Sequence, residues 1–444
     1  MKAIPFEKRK NWQLHIRENA YQADVLSDES QKYWVESLEK PFYIKLTNLE
    51  EEKLAHATAK LGEMCKEYLD WFFTENEEGE TNERLAKLKI PEQYWRPIKK
   101  SWERTCPEDL SLYMRFDLVM DESYSYLKLI EINAETPLLG CEQVYQWNWL
   151  QDMLLSKHHS IPSESSQFNE FWDKVCEQWS YIIRTYNTQG KIIYFLVDET
   201  LNEDIEMAAQ LVQMIQDKVA PNQYCQLVYL RDLRDERGNL IQKGLGIDEE
   251  GHLVDHFDQR IEFLWKIYDW SDLQNDLENF GMTEVFVKQL GLDTTRFIEP
   301  LWKQVLANKG SLVFMWNLFK CHPDYSPYLL ETYFEDDLDC LATRLLLRPH
   351  IRKPLMGLEG VATSIHDGQE SLLEKKDSLG YGHEGFIIQE FIPLPSAYGY
   401  YYVLGSWLVG GLEDGEPAGV IIRGDQSLIT GRYCLIIPHI VSDK

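Results

Sequence analysis

The pattern of apolar and polar positions changes period several times along the chain. From Glu51, EEKLAHATAKLGEMCKEYLDWFF sets apolar side chains at helical intervals for several turns, and the first ~110 residues read as mainly helical. From Ser111 the period drops to two. SLYMRFDLVM and YLKLIEIN are β-rich runs joined by the polar segment DESYS, which is the pattern of a hairpin. An apolar helical stretch follows from Cys141 to Leu155, and then SKHHSIPSESSQ, from Ser156, reads as a surface linker with its two histidines in exposed loop. KIIYFLVDET, NEDIEMAAQLVQMIQDKV and CQLVYLRDL next alternate strand, helix and strand, which implies a parallel sheet. No G-x-G-x-x-G follows the first of these strands, so a dinucleotide site has no support. Near the C-terminus GFIIQEFIPL, GYYYVLGSWLVGG and PAGVIIRG are strand-rich and separated by Gly and Pro, which predicts an antiparallel sheet. The predicted class is α/β, with a helical N-terminal region, an inserted β-α-β module and a C-terminal antiparallel sheet.

At ~150 residues per domain, 444 residues imply two or three domains. An apolar content of 44% with 13% aromatics excludes a disordered chain. No run reaches the roughly 18 apolar residues of a spanning helix, and MKAIPFEKRKNWQLHIRE lacks a signal-peptide core, so neither export nor membrane insertion is expected. The eight cysteines are scattered and form no C-x-x-C pair, which argues against a disulfide scaffold or structural zinc and reads as free thiols in a reducing cytoplasm. A formal charge of −28 repels nucleic-acid phosphates and anionic lipids. It suits a cationic substrate such as a polyamine, and equally a charge kept for solubility.

The hairpin carries the most chemistry. Strand alternation puts Arg115 and Asp117 on one face, and Glu131 and Asn133 on one face of the returning strand. With a turn centred on Tyr124, Asp117 opposes Glu131 and Arg115 opposes Asn133, so four polar groups converge. Adjacent carboxylates repel unless a divalent cation or an Arg neutralises them, and Asp, Glu and Asn oxygens suit Mg²⁺. The same pattern also fits a solvated sheet face with cross-strand charge pairs.

Further along, RKPLMGLEGVATS, from Arg352, joins a Lys to a loop in which Gly357 and Gly360 let backbone N–H groups approach phosphate oxygens. It lacks Walker spacing, and a K-P-x-x-G turn between strands is also a common structural feature. GFIIQEFIPLP then offers Gln389, Glu390 and Phe391 as a strand whose backbone can meet an adenine edge, and Arg423 ends the strand PAGVIIR. That Arg can steady a transferring phosphoryl group or pair with a surface carboxylate.

In order along the chain, R-F-D, I-E-I-N-A-E-T-P, ANK, K-P-x-x-G-x-E-G, I-I-Q-E-F-x-P-L-P, G-S-W-L-V, P-A-G-V-x-I-R and P-H-I-V resemble the glutathionylspermidine synthase-like ATP-grasp proteins, from about Asn11 to the C-terminus. The resemblance implies an ATP-grasp fold and an ATP- and Mg²⁺-dependent carboxylate–amine ligase that forms an amide through an acyl phosphate. It implies Mg²⁺ ligands at Asp117, Glu131 and Asn133, and ATP contacts from Lys309, Lys353, Gly357, Glu359, Gly360, Gln389, Glu390 and Phe391. Arg115 and Arg423 match the arginines that stabilise the transferred phosphate. The implied division is 1–155 for the helical region and metal hairpin, 156–300 for a preATP-grasp-like insert, and 301–444 for the nucleotide-binding lid and core. A peptide-like acid and a polyamine-like amine are the implied substrates, with no nucleic acid or membrane partner and a cytoplasmic location. Cys141 reads as a buried small hydrophobe rather than a thiol contact.

Two departures stand out. Where the family loop reads G-R-E-G-x-N, this chain has Leu358 and Ala362 in place of the Arg and the Asn, and Gly424 stands where a Glu commonly follows the arginine. In addition, the synthetase pattern starts almost at once, so the amidase domain of bifunctional relatives, and amide hydrolysis with it, is not expected. A nucleotide-binding module without ligation, favoured by the loop changes, and an ATP-dependent phosphotransferase are the alternative readings.

Overall fold

A computed structural model describes residues 1–19, 33–104, 110–121, 126–135, 137–156, 160–235, 237–337, 344–376 and 380–443. Tyr124, the histidine pair at His158 and His159, Cys106 and Cys340 lie outside these residues. The other six cysteines are free thiols.

The long N-terminal helix runs over Asn48–Phe73. Its first turn is closed by a capping box in which Thr47 accepts from the Glu50 N–H and the Glu50 carboxylate accepts from the Thr47 N–H, worth about 1 kcal/mol. Its buried stripe, Leu54, Ala57, Leu61, Met64, Cys65, Tyr68, Leu69 and Phe72, follows the 3.6-residue period and packs on the central sheet.

That central sheet is antiparallel, ordered Leu435–Ile437, Glu416–Asp425, Tyr400–Val409, Tyr113–Met120 and Leu127–Asn133. A second, parallel sheet is ordered Arg296–Ile298, Phe263–Lys266, Ile192–Val197 and Tyr224–Tyr229, the helix Asn202–Met214 crossing from Ile192–Val197 to Tyr224–Tyr229. A third, antiparallel sheet is ordered Thr332–Phe334, Phe386–Glu390, His350–Pro354, Thr363–His366 and Ser371–Lys375.

This arrangement corrects two sequence expectations. The three C-terminal strand segments do not share one sheet: Phe386–Glu390 joins the third sheet, whereas the other two pair in the central sheet. Segment 160–169 is no surface linker. After a turn in which the Ser165 N–H donates to the Pro162 carbonyl at 3.1 Å, its Ser166 N–H donates to the Val441 carbonyl at 3.1 Å while the Phe168 carbonyl accepts from Val420 N–H at 3.0 Å, and Ile161, Gln167 and Phe168 are buried. Strand-edge bonding offsets the low hydrophobicity that suggested a linker. The N-terminal region is mainly helical, as its spacing predicts, with short strands besides: Phe42–Leu46 pairs with Lys2–Pro5 and, in parallel, with His439–Val441.

A buried ion pair ties the parallel sheet to the hairpin. The Glu299 carboxylate accepts the N–H groups of Leu112 and Tyr113 at 3.1 and 3.0 Å and pairs with Lys303, whose ammonium also donates to the Tyr113 carbonyl at 3.2 Å. The start of the strand that carries Arg115 is thereby pinned two residues upstream. Among the described residues no helix is long and apolar enough to cross a membrane.

Candidate active site

Pairing in the hairpin opposes Arg115 to Asn133 and Asp117 to Glu131, as alternation predicts. Beyond Asp117 the register slips, Leu118 facing Leu129, so that Ile130 is a bulge residue without a partner. Its carbonyl is turned to the Lys353 ammonium, which donates to it at 2.8 Å and to Gln389 Oε1 at 2.8 Å. The bulge thus links the metal-type hairpin to the third sheet.

Asp117 is the hub. Arg115 Nε donates to its Oδ1 at 2.9 Å, and Arg423 Nη2 pairs with its Oδ2 from the strand two places away. Burial alone would raise the Asp117 pKa, but Arg115 and Arg423 outweigh it and hold the carboxyl below its usual range. Arg423 does not end its strand, as the sequence suggested; two further residues, to Asp425, stay paired. Glu131 Oε1 pairs with Lys309 at 2.8 Å. Lys309 also donates to the Gly357 carbonyl at 2.7 Å, and Asn308, which holds the Leu88 carbonyl at 2.9 Å, fixes the turn that presents it.

The donor set fits a hard divalent cation. Asp117 keeps lone pairs beyond its two guanidinium contacts, Glu131 keeps Oε2, and the Asn133 amide points Nδ2 at the Arg115 carbonyl at 3.5 Å, leaving Oδ1 as a donor oxygen.

Burial lowers the Lys353 pKa to about 8, with Lys309 adding repulsion and Glu131 opposing it. The adjoining loop has left-handed backbone at Glu359, Gly360 and Ala362, φ 55°, 69° and 55°. Among the described residues the N–H groups of Leu358, Glu359 and Gly360 have no acceptor, while the carbonyls of Gly357 and Glu359 take Lys309 and Lys375. A row of free N–H groups in such a turn is an anion cradle. A Cβ at Gly360 would lie 2.5 Å from Ile429 Cγ2, so the loop seats closely on the 425–433 turn. Gln389 is turned inward to Lys353 and Thr332, and Phe391 lies one residue beyond the strand, its N–H taken by the Pro349 carbonyl at 3.2 Å.

Sequence reasoning missed a second group. At the C-terminal end of strand Phe263–Lys266, the Lys266 ammonium is wholly buried, donating to Glu135 Oε2 at 3.1 Å and to the Tyr268 carbonyl at 2.8 Å. Asp269 and Asp272 follow, Asp272 accepting from the Tyr381 hydroxyl at 3.2 Å. Burial and the Glu135 carboxylate raise the Asp269 pKa well above normal, and burial with Glu135 and Asp276 raises that of Asp272 to about 6 against the Tyr381 hydrogen bond. The signal was present as FLWKIYDWSD, an apolar run ended by a Lys and two Asp. Cys141 is buried, its thiol on Met207 Sδ at 3.6 Å.

Comparisons with known proteins bear on the family and the fold. A Haemophilus influenzae protein provisionally named an acid–amine ligase is 29% identical over 424 residues, 93% of this chain and 92% of that one. Trypanothione synthetase of Crithidia fasciculata is 25% identical over 366 residues, 79% of this chain, and the match spans 50% of that longer protein. The solved structure of a glutathione synthetase-like effector of Globodera pallida aligns with a TM-score of 0.52 over 98% of each chain at 10% identity, which speaks to the fold alone. The two sequence relatives are by name carbon–nitrogen ligases. The family model described as glutathionylspermidine synthase preATP-grasp matches residues 3–442, and the chain belongs to that family.

Proposed function

We propose that the protein is an ATP- and Mg²⁺-dependent carboxylate–amine ligase that activates an acid as its acyl phosphate and transfers the acyl group to a polyamine-like amine. The observation that carries this reading is the convergence of two arginines on Asp117, with Glu131 and Asn133 in cross-strand register and Lys309 and Lys353 alongside. Phosphoryl transfer is catalysed by positioning and charge neutralisation more than by covalent chemistry, and this is a cluster of fixed cations around oxygen donors.

In this reading Lys309, Lys353 and the 357–360 loop bind the triphosphate, with Glu359, Gln389, Glu390 and Phe391 lining the nucleotide. Mg²⁺, held by Asp117, Glu131 and Asn133, would offset phosphate charge. Arg115 and Arg423 orient the acid and stabilise charge on the moving phosphoryl group. The acid oxygen attacks the γ-phosphorus, ADP leaves, and the amine nitrogen then displaces inorganic phosphate from the acyl carbon. Asp269 and Asp272 are offered to the amine: burial foremost, with the Glu135 carboxylate, raises their pKa values, and an ammonium beside them would stabilise their charged forms. The division at 155 and 300 and a cytoplasmic location belong to the same proposal.

One observation favours a second reading, nucleotide binding without ligation: Leu358, 42% exposed at the loop tip, and Ala362 offer no polar side chain to a substrate. The deciding experiment follows ADP, phosphate release and amide mass together with Mg-ATP, a panel of acids and a panel of amines, glutathione and spermidine included. Amide formation that needs all three components supports ligation. ADP formed with acid alone, the phosphoryl group staying on its acceptor, indicates a phosphotransferase, and binding without turnover supports the second reading.

A further inference from the structure

We infer that Gly405 and Trp407 are positioning residues that form a slot for the Arg115 guanidinium, so that the G-S-W stretch acts on the reaction through Arg115. The inference rests on the role proposed above for that arginine.

Gly405 sits in the middle of strand Tyr400–Val409, paired on one side with Asp117 and on the other with Ile421. A glycine there weakens a strand by about 0.5–1 kcal/mol relative to alanine. Its backbone is not left-handed, so conformation does not call for it. Space does. A Cβ at this position would lie 2.7 Å from Arg115 Cδ, 3.1 Å from Arg115 Nε and 2.8 Å from Ile421 Cγ2.

The register explains the crowding. Arg115 lies across from Trp407, and its guanidinium carbon is 5.5 Å from the centre of that ring. To reach Asp117 Oδ1 the side chain must leave its own cross-strand row and pass over the next one, the row of Glu131, Asp117, Gly405 and Ile421. Any side chain at position 405 would occupy that path. Arg423, paired with Val403, approaches Asp117 from the opposite side of the same gap. Arg115 is then fixed at two points, Nε on Asp117 and Nη1 on the Leu138 carbonyl at 2.8 Å. Among the described residues no acceptor takes Nη2, which leaves that edge of the guanidinium for an anion. Ser406, between the two positioning residues, points to the other face and hydrogen-bonds Thr58 on the long helix. The strand's alternation thus assigns Gly405 and Trp407 to the site and Ser406 to the core.

The test uses the full chain and four variants: Gly405→Ala, Gly405→Ala/Ile421→Ala, Arg115→Ala and Gly405→Ala/Arg115→Ala. Ile421→Ala removes Cγ2, the atom of the second crowded side chain that meets the new Cβ, so that the arginine contact remains as the strained one. Displacing a catalytic group by about 1 Å costs roughly a hundredfold, so Gly405→Ala should lower kcat for acid-dependent ADP formation by about that factor with KM for ATP changed less than about threefold. The Ile421→Ala companion, with that crowding gone, should leave kcat as low as Gly405→Ala does. Added to Arg115→Ala, Gly405→Ala should cost nothing further. The Arg115 Nε resonance, assigned by its loss in Arg115→Ala, should move in both Gly405 variants that keep the arginine. Wild-type kcat in Gly405→Ala, or an undiminished loss in the Arg115→Ala background, would overturn the slot. Should the wild-type protein turn over no ATP with any acid and amine, the proposed function falls, and the Nε resonance still decides the slot: unmoved in the double variant, it sinks the inference.

Discussion

The central-sheet half of the site and the glycine-loop half are built on different physical terms. Arg115, Asp117 and Arg423 are held by side-chain contacts that β-register dictates, in a buried setting where each charge needs its partner. The loop is held instead by backbone: Glu384 accepts the N–H groups of Met356 and Gly382 at 2.9 and 2.8 Å, and lysines take its carbonyls. The changes within the loop motif, Leu358 and Ala362, fall on the backbone-built half, while on the central sheet the change is Gly424, next to Arg423 and outside the three interlocked charges. A site made of main-chain groups tolerates side-chain replacement; one made of interlocked charges does not.

The sharpest way to break this contrast is Glu131→Ala. It removes one cross-strand donor and the Lys309 partner and should lower Mg-dependent ATP turnover about a thousandfold or more, with an unchanged far-ultraviolet spectrum. Turnover within a few-fold of wild type would show that the hairpin is not the metal site.

Lys353→Met should come next, weakening ATP binding about tenfold or more by calorimetry. Lys353 titrates near 8 because burial disfavours its charge. A bound polyanion raises that pKa, so at pH 8 ATP binding should take up about half a proton, read from calorimetry in buffers of different ionisation enthalpy. The uptake should vanish in Lys353→Met. For stability the sign is separate: the folded pKa lies below the unfolded one, the unfolded chain binds more protons between about 8 and 10.5, and this group's contribution to stability should rise with pH across that window.

A smaller effect is expected at the carboxylate pair outside both halves. Asp269→Asn removes one charge-assisted contact and should raise KM for the amine about tenfold, with KM for ATP unchanged. An equal rise in both would make Asp269 structural. The smallest effect sharpens the view of the loop: Ala362 holds φ 55°, where Asn is tolerated better than Ala, so Ala362→Asn should stabilise the protein by about 1 kcal/mol in chemical denaturation.

Local pattern decided a good deal. Alternation and turn length placed Arg115 beside Asn133 and Asp117 beside Glu131, and helical spacing marked the Asn48–Phe73 helix, because each depends on neighbours in sequence. The strand–helix–strand alternation also foretold the parallel pairing of Ile192–Val197 with Tyr224–Tyr229. What only the tertiary structure decided are the long-range choices. Phe386–Glu390 and Tyr400–Val409 read alike as strands, yet join different sheets, since partner choice rests on which surfaces each one buries. The bulge at Ile130 is invisible in the pattern, yet it aims a carbonyl at a lysine 223 residues away. The residue types at Asp117, Gly405 and Arg423 were legible singly. That a missing side chain at one makes room for the guanidinium that grips another follows from three strands lying side by side, and sequence distance carries no record of that adjacency.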